Sequence, residues 1–249
     1  MLSESVPTSN MPSELTKRLT PMIVTRTNAR RLSMSAAVIL GGVILSGPVA
    51  VGLVEFAAPQ PAWRDAATFV QHYSWLQSLP YVFGFFILGG FIPFMAELAG
   101  SGRDNQRNLG MTALALTAVA ASMIFTNYVL QTAFIPQSLD GDETILAAVT
   151  MANPRSIGWG LEMYGYGVLG VATIVAAPLF EPRGGQGMIR YLFVVNGIVS
   201  VMSAALVPLI PGWLLTTPGI IAGAAWNILV IVIMVLVIRE FKFGHVSGE

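Results

Sequence analysis

Long apolar runs separated by polar segments are the dominant pattern of this chain. About 20 helical residues, rising about 1.5 Å each, cross the roughly 30 Å hydrocarbon core of a bilayer. Six runs reach that length, at about 32–54, 78–99, 109–135, 158–180, 188–208 and 215–238. The pattern predicts an all-α fold, a polytopic transmembrane bundle of six spans over 32–238. Residues 1–31 are predicted to be a disordered basic tail and residues 239–249 a second tail.

Two of the segments between the spans carry helical patterns of their own. In the first, Trp63, Val70 and Tyr73 recur at helical spacing, which predicts a short amphipathic helix at the outer interface. In the third, Asp142 predicts the cap of a helical turn over residues 144–151. For both segments we favour packing at the interface over a lid above a ligand.

The composition supports a membrane protein. Hydrophobic residues make up 54% of the chain and charged residues 10%, which leaves too little polar surface for a soluble domain. Almost every charged residue lies outside the six runs; the acidic exceptions are Glu97, near a boundary where it reaches water, and Glu162. The chain is therefore expected to contact the lipid bilayer. Its formal net charge of zero argues against nucleic-acid binding.

Lys and Arg are distributed unevenly between the two sides of the predicted bundle. Eleven of the 13 lie in the two tails and in the second and fourth loops, whereas only Arg64 and Arg155 lie on the other side. Because cytoplasmic segments carry the excess of positive charge, both termini are predicted to be cytoplasmic. The even number of spans agrees with this topology.

The sequence lacks the patterns of common catalytic and cofactor sites. It contains no cysteine, so thiolate metal ligands and cysteine nucleophiles are excluded. His72 and His245 fall outside the spans, where neither fits a haem held between helices. No His-Glu-x-x-His, Gly-x-Ser-x-Gly or phosphate-cradling loop occurs. We predict no catalytic residue, no cofactor and no metal, and an enzyme is the least favoured class.

Polar residues at depth in the third and fourth spans carry the functional signal. Glu162 and Gln131 each lie about one turn inside the outer end of their spans, and Asn127 follows one turn deeper on the Gln131 face. A carboxylate in low dielectric needs donors that offset its desolvation, and amides supply them. We predict a polar cluster of these three residues, to which three residues nearer the rim add donors: Tyr164, Tyr166 and Arg155. Two interpretations stay open, a structural hydrogen-bond clasp and a site for a small ligand or a proton.

Small and polar residues predict where the spans approach one another. Gly219 and Gly223 form a small-xxx-small pair in the sixth span, a spacing that lets helix backbones come close. Asn196 and Asn227 fall near the midplane of the fifth and sixth spans, and we expect them to pair. Pro48 predicts a kink in the first span.

Four short motifs lie in or beside the spans: Leu-Pro at 79–80, Asn-Pro at 153–154, GWGLEMYGYG at 158–167 and Asn-Gly at 196–197. With them, the stretch from about 63 to 206 resembles a family of bacterial multi-pass membrane proteins of uncharacterised function. The resemblance implies a six-span inner-membrane protein. It implies no activity, substrate or role for any residue.

The sequence therefore predicts an integral, multi-pass protein of the plasma (inner) membrane. As its function we favour a structural or accessory membrane subunit, which binds another membrane protein or a second copy of itself. The alternative is a small-solute or proton-coupled transporter that uses an outward-facing polar cluster around Glu162. A water-reachable cavity at Glu162 favours the transporter, and a packed interior favours the accessory subunit.

Overall fold

Six long helices form a bundle in the computed structural model, which describes residues 26–102, 104–210 and 212–243. They are α1 (Arg26–Ala57), α2 (Trp75–Ser101), α3 (Arg107–Gln137), α4 (Ile157–Leu179), α5 (Gly184–Leu206) and α6 (Thr217–Lys242). Each is long and apolar enough to cross a bilayer, and the described residues contain no strand. The predicted all-α, six-span class is thus confirmed. Most of the tail predicted at 1–31, and residues 244–249, lie outside the described residues.

The six helices are arranged in a closed ring. Each packs against the next along the chain, and α6 packs against the Arg26–Ile44 part of α1. The contact between α5 and α6 is the least extensive of the six. We call the end that holds the loops after α1 and α3 the outer end, following the orientation that the charge distribution predicts.

Phenylalanines fill the inner half of the ring. Phe94 of α2 packs on Phe193 of α5, with ring centroids 6.1 Å apart, and Phe193 packs on Phe180 at 5.0 Å. Phe241 of α6 completes the group at 6.5 Å from Phe180. All four rings are buried, so they form a packed aromatic core in this half of the bundle.

Polar contacts tie α1 to α2 at the inner end. Arg31 forms an ion pair with Glu97 at 3.3 Å, and Asn28 Nδ2 donates to Ser101 Oγ at 3.2 Å. Glu97 keeps 20% of its side chain exposed, in agreement with its position near the predicted boundary. These contacts join the first two helices on the side opposite the outer loops.

Glycines bring α4 and α5 into close contact. A Cβ atom on Gly170 would lie 2.8 Å from the carbonyl oxygen of Gly197, and one on Gly197 would lie 2.5 Å from the carbonyl oxygen of Gly170. Neither position therefore accepts a side chain without movement of a backbone. Small residues of this kind let spanning helices pack where lipid removes the hydrophobic drive for association.

The outer part of α1 departs from regular α-helical geometry. Residues Leu45–Val51 form a π-helical segment that contains Pro48, the residue predicted to distort this span. Proline cannot donate a backbone hydrogen bond, so a widened turn accommodates it. Ser46 Oγ donates to the Pro80 carbonyl of α2 at 2.7 Å, which fixes this segment against its neighbour. A second π-helical segment, Leu130–Phe134, lies in the outer part of α3.

Two short helices cover the outer end. Ala66–Gln71 begins after Asp65, whose carboxylate accepts the Thr68 N–H at 2.7 Å, and Glu143–Val149 begins after Asp142, which caps it in the same way. These hydrogen bonds lower the pKa of both aspartates below the ordinary value. Buried apolar residues pack the two helices together: Ala66, Phe69, Ile135 and Leu146.

Candidate functional site in the outer half of the bundle

Glu162 lies at the centre of a hydrogen-bond network between α3 and α4. Its Oε2 accepts the Asn127 side-chain amide at 2.9 Å, and its Oε1 accepts the Tyr128 hydroxyl at 3.1 Å. The Tyr128 hydroxyl also lies 3.1 Å from that of Tyr166. Asn127 and Tyr128 are consecutive, so one turn of α3 supplies both donors to the carboxylate.

Gln131 extends this network to the loop that leads into α4. Its Nε2 donates to Asn127 Oδ1 at 3.0 Å and to the Val149 carbonyl at 2.9 Å, and its Oε1 accepts the Met151 N–H at 3.1 Å. Both amides are buried, at 0% and 4% exposure. Their donors and acceptors are satisfied, which is the arrangement that burial of amides requires.

Glu162 also lines a central cavity of about 340 Å³. Every helix contributes to the wall, for example through Ser46, Tyr81, Tyr128, Glu162, Ser200 and Trp226. The carboxylate therefore faces open space on one side and its protein donors on the other. A carboxylate accepts about four hydrogen bonds, so two neutral donors leave acceptor capacity for a molecule in the cavity.

A second cavity, of about 520 Å³, lies directly outside the first and forms a vestibule. The two share lining residues, including Tyr81, Met151 and Trp159. The vestibule extends to Glu55, which is exposed at the outer end of α1, and to Ile220 of α6. The vestibule thus adjoins the central cavity on the side of the outer surface, whereas the phenylalanine core lies on the opposite side.

The π-helical segments lie beside these cavities. Ser46, Gly47 and Val51 of the first segment line the central cavity, and Gln131 of the second lines the vestibule. A Cβ atom on Gly47 would lie 2.7 Å from Asn227 Oδ1, so a larger residue there would displace the Asn227 side chain of α6. π-Helical turns are frequent at functional sites because they reposition side chains within an otherwise regular helix.

The structure brings together the three central residues of the predicted cluster and one of the three rim residues. Asn127, Gln131 and Glu162 share one network, and Tyr166 joins it through Tyr128. Two predicted donors lie elsewhere. Tyr164 is 44% exposed on the outside of the bundle, and Arg155 is exposed in the loop before α4.

The predicted helix-packing residues are arranged differently from the sequence expectation. Asn227 Nδ2 donates to the Gly223 carbonyl of its own helix, and Asn196 Oδ1 is buried without a hydrogen-bond partner among the described residues, so the two asparagines do not pair. Gly219 packs on the backbone of Trp213, in the loop before α6. Gly223 faces the central cavity and has no atom within 4 Å of an added Cβ, so this glycine pair does not form one helix contact.

Sequence reasoning missed the aromatic part of the site. Tyr81, Tyr128, Trp159 and Trp226 all line the central cavity. Tyr128 was detectable, because it adjoins Asn127 in a turn already assigned to the site. The others lie on different helices, and each has the sequence signature of an ordinary interfacial or core aromatic residue.

The chain matches no protein-family model, no curated protein and no solved structure. The geometry of the two cavities therefore supplies the functional argument.

Proposed function

We propose that this integral membrane protein is a small-solute transporter whose substrate site is the central cavity, with Glu162 as the charged group. The observation that carries the proposal is a carboxylate within a spanning helix that lines a central cavity, next to a vestibule at the outer end. Ionisable residues inside a membrane are expensive, and where they line a cavity they mark substrate or proton pathways. A cavity of this size suits a small organic molecule.

The shape of the interior favours transport over a purely structural role. A clasp between α3 and α4 requires only that its polar groups bond one another, and close packing would then exclude open space. Glu162 instead stands between the clasp and the cavity. A central cavity that adjoins an outer vestibule fits the outward-facing state, one of the two states that alternating access requires.

The proposal includes the orientation and the membrane. The excess of Lys and Arg on one side supports cytoplasmic termini, and the resemblance to bacterial multi-pass proteins supports the plasma (inner) membrane. Reporter fusions at each terminus test the orientation. A reporter that is active only outside the cytoplasm should stay silent at both ends, and activity at either end contradicts the assignment.

A structural or accessory membrane subunit is the second candidate, favoured by the completeness of the network at Gln131. Its bonds to Asn127, Val149 and Met151 join α3 to the segment before α4 and need no molecule in the cavity. This role predicts that Glu162→Gln changes no transport, and that mild-detergent purification yields a partner protein in fixed stoichiometry or a stable homo-oligomer.

The deciding experiment compares the wild type with Glu162→Gln in proteoliposomes. A panel of cationic, neutral and anionic small solutes is first screened by thermal shift, since a ligand that binds the folded state raises its apparent stability. Solutes that stabilise the wild type are then assayed for uptake. We expect uptake that Glu162→Gln abolishes while the melting temperature stays within a few degrees, because glutamine keeps an acceptor for Asn127. Equal uptake by both proteins, or none by the wild type, overturns the proposal.

A further inference from the structure

The Asp, Glu, Lys, Arg and His residues that line the two cavities are all acidic. Glu162 lines the central cavity and Glu55 lines the vestibule, and no Lys, Arg or His of the described residues lines either one. The titratable groups around Glu162 are three neutral phenols, Tyr81, Tyr128 and Tyr166. Burial disfavours an ionised carboxylate that has no positive partner, so a bound cation is the partner that would stabilise the ionised form of Glu162. The second carboxylate in the vestibule attracts cations toward the same path.

Aromatic rings form much of the wall beside Glu162. Tyr166 and Trp226 pack edge to face at 4.9 Å, and Tyr81 and Tyr128 lie 5.7 Å apart. The indole N–H of Trp226 donates to Ser200 Oγ, and that of Trp159 donates to the Met151 carbonyl. Because both N–H groups are bonded to protein, the indoles offer carbon surface to the cavity. Aromatic carbon surface attracts cations and apolar groups alike.

The remaining features exclude a bare metal ion as the best occupant. A hard cation such as Ca²⁺ takes six to eight oxygen ligands at short distance. The central cavity offers one carboxylate and a few neutral hydroxyl and amide groups within a mostly apolar wall that includes Met151, Met163 and Leu214. About 340 Å³ also exceeds the space that one ion needs. Charge, aromatic surface and volume together fit a cation with an apolar body.

We infer that the substrate of the proposed transporter is an organic monocation, a substituted amine or quaternary ammonium, whose charge pairs with Glu162 while its carbon groups contact Tyr81, Tyr166 and Trp226. This inference rests on the proposed function and adds the class of the substrate. Trp226 and Tyr166 are specificity-determining residues in this arrangement, since they contact the apolar body.

Matched ligands test the inference on the purified full-length protein in lipid nanodiscs. Choline, benzyltrimethylammonium and tetrapropylammonium are the cations, dimethylbutanol is the neutral carbon isostere of choline, and dimethylbutyrate is the anion. Tryptophan fluorescence reports binding, because Trp159 and Trp226 line the cavity. We expect at least one cation to bind about tenfold or more tightly than the neutral and anionic probes, since pairing and cation–π contacts both favour the charge.

Variants test whether the preference for cations arises in the central cavity. Glu162→Gln should remove the preference for the cation. Trp226→Leu should weaken the binding of the cations more than it weakens the binding of dimethylbutanol. Glu143→Gln is the matched control, because Glu143 is exposed on the outer end and lines neither cavity. It should bind like the wild type.

Each failure has a distinct meaning. If the neutral or anionic probe binds as tightly as its cationic partner, or if no cation binds at all, the assignment of an organic cation is wrong. The transport proposal is then tested separately. It requires that at least one solute of the wider panel is transported by the wild type and not by Glu162→Gln. A cation preference that survives in Glu162→Gln also overturns the inference.

Discussion

At the residue scale, Glu162 combines two roles that are usually separate. Its carboxylate holds α4 to α3 through Asn127 and Tyr128, and it also faces the cavity. The two donors are neutral, so they supply hydrogen bonds to the carboxylate but no positive charge. We therefore expect stability to depend on the donors, and the proposed ligand binding to depend on the carboxylate.

Replacement of Asn127 by leucine should destabilise the protein. The buried amide donates to Glu162 Oε2 and accepts from Gln131 Nε2, so its loss removes the donor of that carboxylate oxygen and one of the two acceptors of the Gln131 amide. An unsatisfied buried polar group costs about 1–3 kcal/mol, and Asn127→Leu should lower the melting temperature accordingly. The neighbouring variant Thr126→Ala, at an exposed position, is the control and should melt like the wild type. Equal melting of Asn127→Leu and the control would show that the network contributes no stability.

Part of the site was predictable at this scale because helix geometry fixes it. Residues 127 and 131 share a face at four-residue spacing, and their depth matched that of Glu162. Polar side chains within spanning helices are rare, so each one can be considered individually as a candidate site residue. The pairing expected of Asn196 and Asn227 had no such support, since depth alone says nothing about which faces of two helices meet. Asn227 bonds its own backbone instead.

At the element scale, α4 contacts both neighbours through glycines. Gly165 lies against Ile124 of α3, and Gly170 lies against Gly197 of α5. These close contacts leave the rest of α4 to line the cavity with Trp159, Glu162 and other large side chains. The glycine-rich sequence of this span therefore serves packing on two faces and the site on a third.

Gly197→Ala should separate α4 from α5. The added Cβ would lie 2.5 Å from the Gly170 carbonyl oxygen, so one helix must move, and overpacking of this kind costs about 1–3 kcal/mol. The expected result is a lower melting temperature in detergent. Gly89→Ala is the matched control, because no atom lies within 4 Å of its added Cβ. A Gly197→Ala protein as stable as the control would contradict the close contact.

The cap of the first outer helix should give a pH-dependent signal. The Thr68 N–H donates to Asp65, so the folded-state pKa of this carboxyl lies below its ordinary value. A lowered pKa means that the cap stabilises the helix above the unfolded-state pKa and that this contribution disappears as the pH falls through the folded-state pKa. NMR of threonine-labelled protein should show the Thr68 amide titrating below the ordinary aspartate range. Asp65→Asn keeps the cap and should abolish the titration; a midpoint at or above the ordinary value contradicts the account.

The spans could be predicted from sequence because lipid demands long uncharged runs, whatever their neighbours. The two π-helical segments could not be predicted in the same way. Pro48 indicated a distortion of α1, but nothing in residues 130–134 marks the similar segment of α3. Their geometry depends on contacts with other helices, such as the bond from Ser46 to Pro80.

At the scale of the whole molecule, the two halves of the ring differ. The outer half holds two adjoining cavities, whereas buried phenylalanines such as Phe94 and Phe193 pack between the helices of the inner half. The sequence did not reveal this asymmetry. Spanning helices are apolar on nearly every face, so hydropathy does not show which face of each turns inward. Tyr81 of α2 and Trp226 of α6 line the same cavity only because of the order in which the helices are arranged around it.

The most direct test of the account is the reaction of a cavity cysteine with a membrane-impermeant thiol reagent added outside intact cells. The chain has no cysteine, so Ser203→Cys in the cavity wall needs no other change. Ala62→Cys in the exposed first loop is the positive control, and Ile221→Cys, 63% exposed on α6, is the lipid-facing negative control. We predict that Ser203→Cys and Ala62→Cys react and that Ile221→Cys does not. A Ser203→Cys protein that stays unmodified while Ala62→Cys reacts would contradict an outward-open cavity.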